Sequence, residues 1–418
     1  MPGLICFRLN TSSLVKLIGI FSIFWPLASV AIPFTGSVSF FSSLPIGLAL
    51  ILIVFSFFQG RRHDSMSLFL ILFIFLTCLF PIFRNSESDF FRSIKTFASP
   101  AVFLFVVNRS FLLKDKILDF KSIVKDLDLF FNLALLASFF GFLELLIRHF
   151  LPSLADLWYS KLALSGFAGT EYLQYGYMDY GLIFHGQRPL GLFGDQHTAP
   201  LVAILCSVYF MLVRNQARFW LGILACVLTF RFTYFPFCLL LIYLNGSLSS
   251  KLSINCAFVS FCVLSSTFVF DYVNSDSSGA ILVEHFFAGI NLTTSSLIDL
   301  IFGLGYTGDL NTYLSYNEVF IYKYFTFFGF IGVLYWLLLI SIPFSLFLYF
   351  QRQSLISHQL HFLPKRYSNK AFLALSLVPI FGQLHYNSFY TPTASFLYSA
   401  ILAFGVLLMR NDIILTEP

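Results

Sequence analysis

The sequence predicts an all-α, polytopic membrane protein with about 12 transmembrane helices, and three observations carry that prediction. Of its 418 residues, 58% are hydrophobic. Only 11% are charged, less than half of the roughly 25% usual in soluble domains. Apolar stretches approaching the roughly 20 residues needed to cross a bilayer recur from one end of the chain to the other. A chain this long could hold two or three soluble domains, but the charge deficit makes 1–418 a single integral membrane domain, because surface that faces lipid need not be polar. The composition excludes disorder, collagen-like repeats and a secreted disulfide scaffold. The seven cysteines show no C-x-x-C and no Cys/His ligand spacing, so they read as apolar fillers and no metal site is expected. A basic N-terminus (Arg8, Lys16) runs into an apolar stretch too long for a signal peptide and without an A-x-A-like site, which predicts a retained first helix.

The apolar stretches fall, in order, near 14–34, 38–58, 67–83, 97–113, 127–150, 198–213, 217–231, 233–245, 252–271, 327–350, 371–386 and 393–409. The seventh and eighth are short and read as one hairpin that does not reach both faces cleanly. With the N-terminus in the cytoplasm, 17 Lys and Arg fall on the cytoplasmic side and 8 on the other, so the positive-inside rule places both termini inside. Two long outer segments result, about 151–197 and 272–326, and they are expected to cap the site. Their aromatic residues, among them Trp158, Tyr159, Tyr306 and Tyr316, suit re-entrant or interface-lying helices. The alternating charges at 114–126 read as a solvated linker, and the pair Asp126 and Asp128 as negative charge at a helix start.

Three segments carry candidate chemistry. The first is Gly186-Gln187-Arg188-Pro189-Leu190-Gly191-Leu192-Phe193-Gly194-Asp195-Gln196-His197, where the first outer segment enters the sixth helix. Glycines permit close backbone approach to a ligand, and Arg188 offers a planar fork suited to phosphate oxygens. The second is Arg231, flanked by Phe230 and Phe232 at the outer end of the seventh stretch. An ionisable group there is a functional candidate, and snorkelling to the interface is the competing account. Two arginines at one membrane face could together hold a diphosphate. The third is Gly303-Leu304-Gly305, followed by Tyr316-Asn317-Glu318 and by Gly329-Phe330-Ile331-Gly332. With no preceding strand, the G-x-G is not a nucleotide fingerprint.

In order and in topological place, these segments resemble the O-antigen polymerase (Wzy-type) and O-antigen ligase family of bacterial membrane glycosyltransferases. The matching positions are Arg188, Gly191 and Phe193; Arg231; Gly303 and Gly305; Asn317; and Gly329 and Gly332. The chain departs from the ligase pattern at Tyr316, where ligases carry a His before the Asn, and this favours a polymerase.

The resemblance implies a GT-C-like architecture in the bacterial inner membrane with its active site on the periplasmic side. It implies polyprenyl-pyrophosphate-linked oligosaccharides as substrates, membrane lipid as surroundings and a chain-length regulator as a partner, with no nucleic acid and no cofactor. Arg188 and Arg231 would stabilise the departing pyrophosphate, with Gly191, Tyr316, Asn317, Gly303 and Gly305 lining the substrate. The general base stays open among Glu318, His197 and Asp195, with His185 and Glu171 behind them. Alternatives are a ligase of the same family and, from another class, a lipid-linked oligosaccharide flippase or transporter. A transporter is expected to show inverted repeats or broken helices in corresponding halves, and the sequence shows neither.

Overall fold

A computed structural model describes residues 11–34, 37–58, 99–113, 120–165, 189–193, 197–229, 234–246, 296–304, 320–356, 368–382, 389 and 391–416. Among these residues the secondary structure is helical, with no strands. Five stretches among the described residues are long and apolar enough to cross a membrane: Ser13–Ala31, Ser37–Phe55, Ser122–Phe150, Phe328–Gln353 and Pro392–Arg410. Described helices fall on ten of the twelve expected stretches; those at 67–83 and 252–271 lie outside the described residues. The chain groups into two compact units.

The first unit (Met1–Leu76, Phe97–Asp195 and Tyr390–Pro418) contains α1 (Thr11–Ala31), α2 (Ser37–Phe58), α3 (Ser99–Leu113), α4 (Phe120–Ser138), α5 (Phe140–Phe150), α6 (Pro152–Ser165) and α13 (Pro392–Thr416). Its centre is aromatic. Phe396 of α13 meets Phe103 of α3 and Phe130 of α4 edge to face at 5.7 and 5.3 Å, a favoured ring geometry. Gly19 of α1 lets that cluster form, since a Cβ there would lie 2.7 Å from the rings of both Phe130 and Phe396. Buried hydroxyls join α13 to its neighbours. Ser99 and Ser395 are bonded at 3.0 Å, Thr393 donates to the Ser22 carbonyl at 2.5 Å, and Ser399 donates to the Pro100 carbonyl at 2.9 Å.

The second unit (Thr77–Thr96 and Gln196–Phe389) contains α7 (Thr198–Leu212), α8 (Gln216–Val227), α9 (Phe235–Asn245), α10 (Leu297–Phe302), α11 (Phe320–Ile356) and α12 (Lys370–Phe381). Every residue of α7 is buried, so helices enclose it all round. α8 packs on it through small residues. A Cβ at Gly222 would overlap the Ser207 hydroxyl, and such contacts let helix backbones approach closely. With 12 and 11 residues, α8 and α9 extend only about 18 Å and 16 Å, short of a bilayer core. They form the expected hairpin, joined at its open end by paired amides: Gln216 Nε2 donates to Asn245 Oδ1 at 3.2 Å and Asn245 Nδ2 to Gln216 Oε1 at 2.8 Å.

Three differences from the sequence reading have local causes. The fifth stretch is broken at Phe139, where Ser138 turns its hydroxyl back onto the Ala134 carbonyl at 2.9 Å, a bond that bends helices. α4 begins at Phe120, so Asp126 lies in its second turn rather than at its start. Its partner is Lys16 of α1 at 2.8 Å, not the helix dipole. α11 continues N-terminal of the expected start near 327, and its helical geometry breaks at Gly329.

Candidate functional site

The first candidate segment enters the structure at Pro189. It rests on α5, whose sequence Phe140-Gly-Phe-Leu-Glu-Leu-Leu-Ile-Arg-His-Phe150 puts Gly141, Glu144 and Arg148 on one face at three- and four-residue spacing. That face is the buried one, while Leu143, Leu146 and Phe150 point outward. A soluble helix would be polar outside and apolar inside, so this inversion is what a lipid-facing helix needs.

Glu144 is 2% exposed and Arg148 5%. A carboxylate so buried is tolerable only when paired and fully hydrogen-bonded, and Glu144 is both. Its Oε1 accepts from Arg148 Nη2 at 2.5 Å, from the Tyr159 hydroxyl, and from the Leu190 N–H at 3.1 Å. Its Oε2 accepts from the Gly191 N–H at 2.6 Å. Arg148 Nε donates to the Tyr159 oxygen, which completes the ring of donors and acceptors. Tyr159 arrives on α6, which begins with Pro152 at its first position, where a missing N–H costs nothing. Burial pushes the Tyr159 phenol far above its ordinary value, Glu144 adds to that shift and Arg148 opposes it. The hydroxyl therefore stays protonated and remains a donor.

One feature lets the Pro189–Phe193 turn reach this carboxylate. Gly191 adopts φ +63°, a left-handed conformation costing other residues about 1–2 kcal/mol. Pro189 and Gly191 pack over Gly141 at distances that would leave room for a Cβ there. Leu190 then enters an apolar cluster with Val30, Ala155, Tyr159 and Leu162. Beside it, α5 and α6 line a partly open apolar pocket of about 280 Å³ bordered by Phe140, Ile147, Leu154 and Trp158, with Glu144 at its wall.

The third candidate segment is built around two glycines. Gly303 ends α10 at φ 75°, and Gly329 breaks α11 at φ 59°. A Cβ on Gly329 would lie 2.5 Å from the Gly303 nitrogen and 2.6 Å from the carbonyls of Leu300 and Ile301. The G-x-G and G-x-x-G motifs are thus brought backbone to backbone. The Leu304 N–H donates to the Thr326 carbonyl at 2.7 Å and closes the contact. Ser296 caps α10 by accepting from the Asp299 N–H at 3.0 Å and donating to its carboxylate at 2.6 Å, which holds so short a helix in shape. Leu297 and Ile298 stand exposed on it at 71% and 65%.

Among the expected site residues, the structure brings Gly303 to Gly329 and seats Gly191 on Glu144. It places His197, 2% exposed, directly before the buried α7. Arg188, Asp195, Arg231, Gly305, Tyr316, Asn317 and Glu318 lie outside the described residues, as do Glu171 and His185. The sequence reading missed Glu144 and counted Arg148 only as an outer charge. The signal was present: a carboxylate and a guanidinium four apart inside an apolar stretch can pair along one helix face.

The fold and these turns define a helical membrane protein with turns at glycines of positive φ. Compared with protein families, with characterised proteins and with solved structures, the chain matches none.

Proposed function

We propose that the protein is a polysaccharide polymerase of the O-antigen polymerase type. It would join polyprenyl-pyrophosphate-linked repeat units at the outer face of the bacterial inner membrane, with 12 spans, a GT-C-like architecture and both termini cytoplasmic. The observation that carries the reading concerns backbone shape. Three glycines among the described residues have positive φ, namely Gly191, Gly303 and Gly329, and all three belong to the motifs on which the resemblance rests. Glycine is the default residue where a chain turns left-handed or approaches another backbone closely, and the presence of such geometries at motif glycines supports the reading. Contacts between helices agree with the proposed alternation. Lys16 with Asp126, Gln216 with Asn245 and Ser99 with Ser395 each join ends assigned to one face.

In the proposed reaction, a sugar hydroxyl of one lipid-linked unit attacks the anomeric carbon of another. The glycosidic bond forms as the bond to pyrophosphate breaks, the hydroxyl proton passes to a base, and the polyprenyl pyrophosphate leaves. Stabilising charge on the leaving group is a task for preorganised cations, here Arg188 and Arg231. The base is chosen from Glu318, His197 and Asp195 and contributes about 10² to 10⁴ in rate.

The test is purified protein in liposomes with its native lipid-linked repeat, and neither metal nor nucleotide sugar added. A ladder of whole-repeat increments with release of polyprenyl pyrophosphate is expected, and Arg188→Ala and Arg231→Ala variants that still fold should lose it. Transfer of a finished polymer onto a different acceptor would mark a ligase. Movement of intact substrate across the bilayer without elongation would mark a flippase.

A further inference from the structure

We propose that the pocket between α5 and α6 binds one anionic phospholipid of the surrounding membrane, with an acyl chain in the pocket and the phosphate at Lys161. Such a site requires only that the chain lie in a membrane, and it is independent of the polymerase reading. Its two walls differ in character. Phe140 and Ile147 belong to the apolar span Ser122–Phe150. Leu154, Trp158 and Lys161 stand at i, i+4 and i+7 on one face of α6. Asp156, the one acid of α6, falls off that face.

The cation lies near a membrane face. One turn beyond Lys161, the Ser165 hydroxyl donates to the Ser29 carbonyl at 2.9 Å, and the Ser165 carbonyl accepts from the Ser37 hydroxyl at 3.3 Å. α1 and α2 each contain a stretch long and apolar enough to cross the bilayer, so the chain between Ser29 and Ser37 turns at one of its faces. A lysine there keeps its stem on apolar surface and its ammonium among headgroups.

Three features select the occupant. The pocket's volume of about 280 Å³ is roughly twice the ~150 Å³ of an apolar cavity that holds benzene, so it suits a length of hydrocarbon chain. Leu154 and Leu157 at its border are 45% and 54% exposed, which leaves a way in from the bilayer. The polar groups match the other end of a lipid. Trp158 has its indole N–H buried with no hydrogen-bond partner among the described residues, a donor that an ester or phosphate oxygen satisfies at a membrane interface. Lys161 is exposed and has no ion-pair partner among the described residues. The Glu144 oxygens at the wall are already engaged by Arg148, Tyr159 and two backbone amides. A neutral hydrocarbon would fill the pocket but leave the cation and the N–H unanswered.

The test titrates full-length protein in detergent with phosphatidylglycerol or phosphatidylcholine bearing dibrominated acyl chains, which quench tryptophan fluorescence on contact, while native mass spectrometry counts retained lipids. One retained phosphatidylglycerol per chain is expected, with a component of quenching that disappears in Trp158→Phe. Lys161→Gln should weaken phosphatidylglycerol about fivefold, the share of one Lys near an anionic surface, and leave phosphatidylcholine unchanged. Leu157→Glu, at an exposed lining position, should weaken both lipids at least tenfold; if it does not fold, Leu154→Gln takes its place. Equal affinity for the two lipids, or phosphatidylglycerol binding unchanged in Lys161→Gln, would overturn the anionic headgroup. Quenching undiminished in Trp158→Phe, or retention undiminished in Leu157→Glu, would overturn the pocket. Displacement of phosphatidylglycerol by an equimolar polyprenyl phosphate would overturn a phospholipid as the occupant.

Discussion

The turns at Gly191 and at Gly303–Gly329 solve one problem by opposite means. Each carries a glycine at positive φ. At Gly191 the turn is held by charge: a buried carboxylate collects two amides, a guanidinium and a phenol. At Gly303–Gly329 it is held by the absence of side chains, with one backbone seated on another. The first depends on a charged partner remote in sequence and can be graded by altering donors one at a time. The second has no intermediate setting, because the smallest side chain already overlaps.

The sharpest way to break the comparison is Gly329→Ala. A methyl group 2.5 Å from the Gly303 nitrogen, at φ 59°, should cost more than about 3 kcal/mol, read as loss of the folded, monodisperse species in detergent. Next comes Glu144→Ala, expected to cost about 3–5 kcal/mol because it strands the buried Arg148. Adding Arg148→Met should recover part of the lost thermal stability, whereas no second substitution at α10 should rescue Gly329→Ala. Gly191→Ala should cost about 1–2 kcal/mol, with Gly191→Asn milder than Gly191→Val in thermal unfolding.

Tyr159→Phe gives the smallest effect, about 1–2 kcal/mol, and sharpens the contrast through pH. The folded phenol titrates above its unfolded value, so its contribution is complete below about pH 10 and declines as pH rises beyond that. The stability difference between wild type and Tyr159→Phe should therefore stay constant from pH 7 to about 9.5 and narrow above it. The Gly329→Ala deficit should not vary with pH.

Hydrophobic runs made the helices legible, since length and apolar content suffice to mark them. The positions of Gly191, Gly303 and Gly329 were legible too, because backbone demands leave glycine in the sequence. What joins them was not. Glu144 and Gly191 are 47 residues apart, and no local pattern announces that a helix carboxylate will meet two loop amides. Tyr159 reads as an interfacial aromatic from sequence and is fully buried, because its hydroxyl has a charged pair to join. The interruption at Phe139, beside the Ser138 back-bond, lies beyond the reach of hydropathy.

The burial of α13 bears on how the protein is made. Its serines and threonine reach partners 296, 371 and 299 residues earlier in the chain, so α1 and α3 are synthesised long before the helix that closes over them. Until α13 emerges, the hydroxyl-accepting carbonyls of Ser22 and Pro100 and the rings of Phe103 and Phe130 lack their final partners. During translation the first unit is therefore a half-built receptacle until α13 is made. A ribosome stalled before residue 392 should leave a product that inserts into the membrane but is rapidly cleared by quality-control proteases.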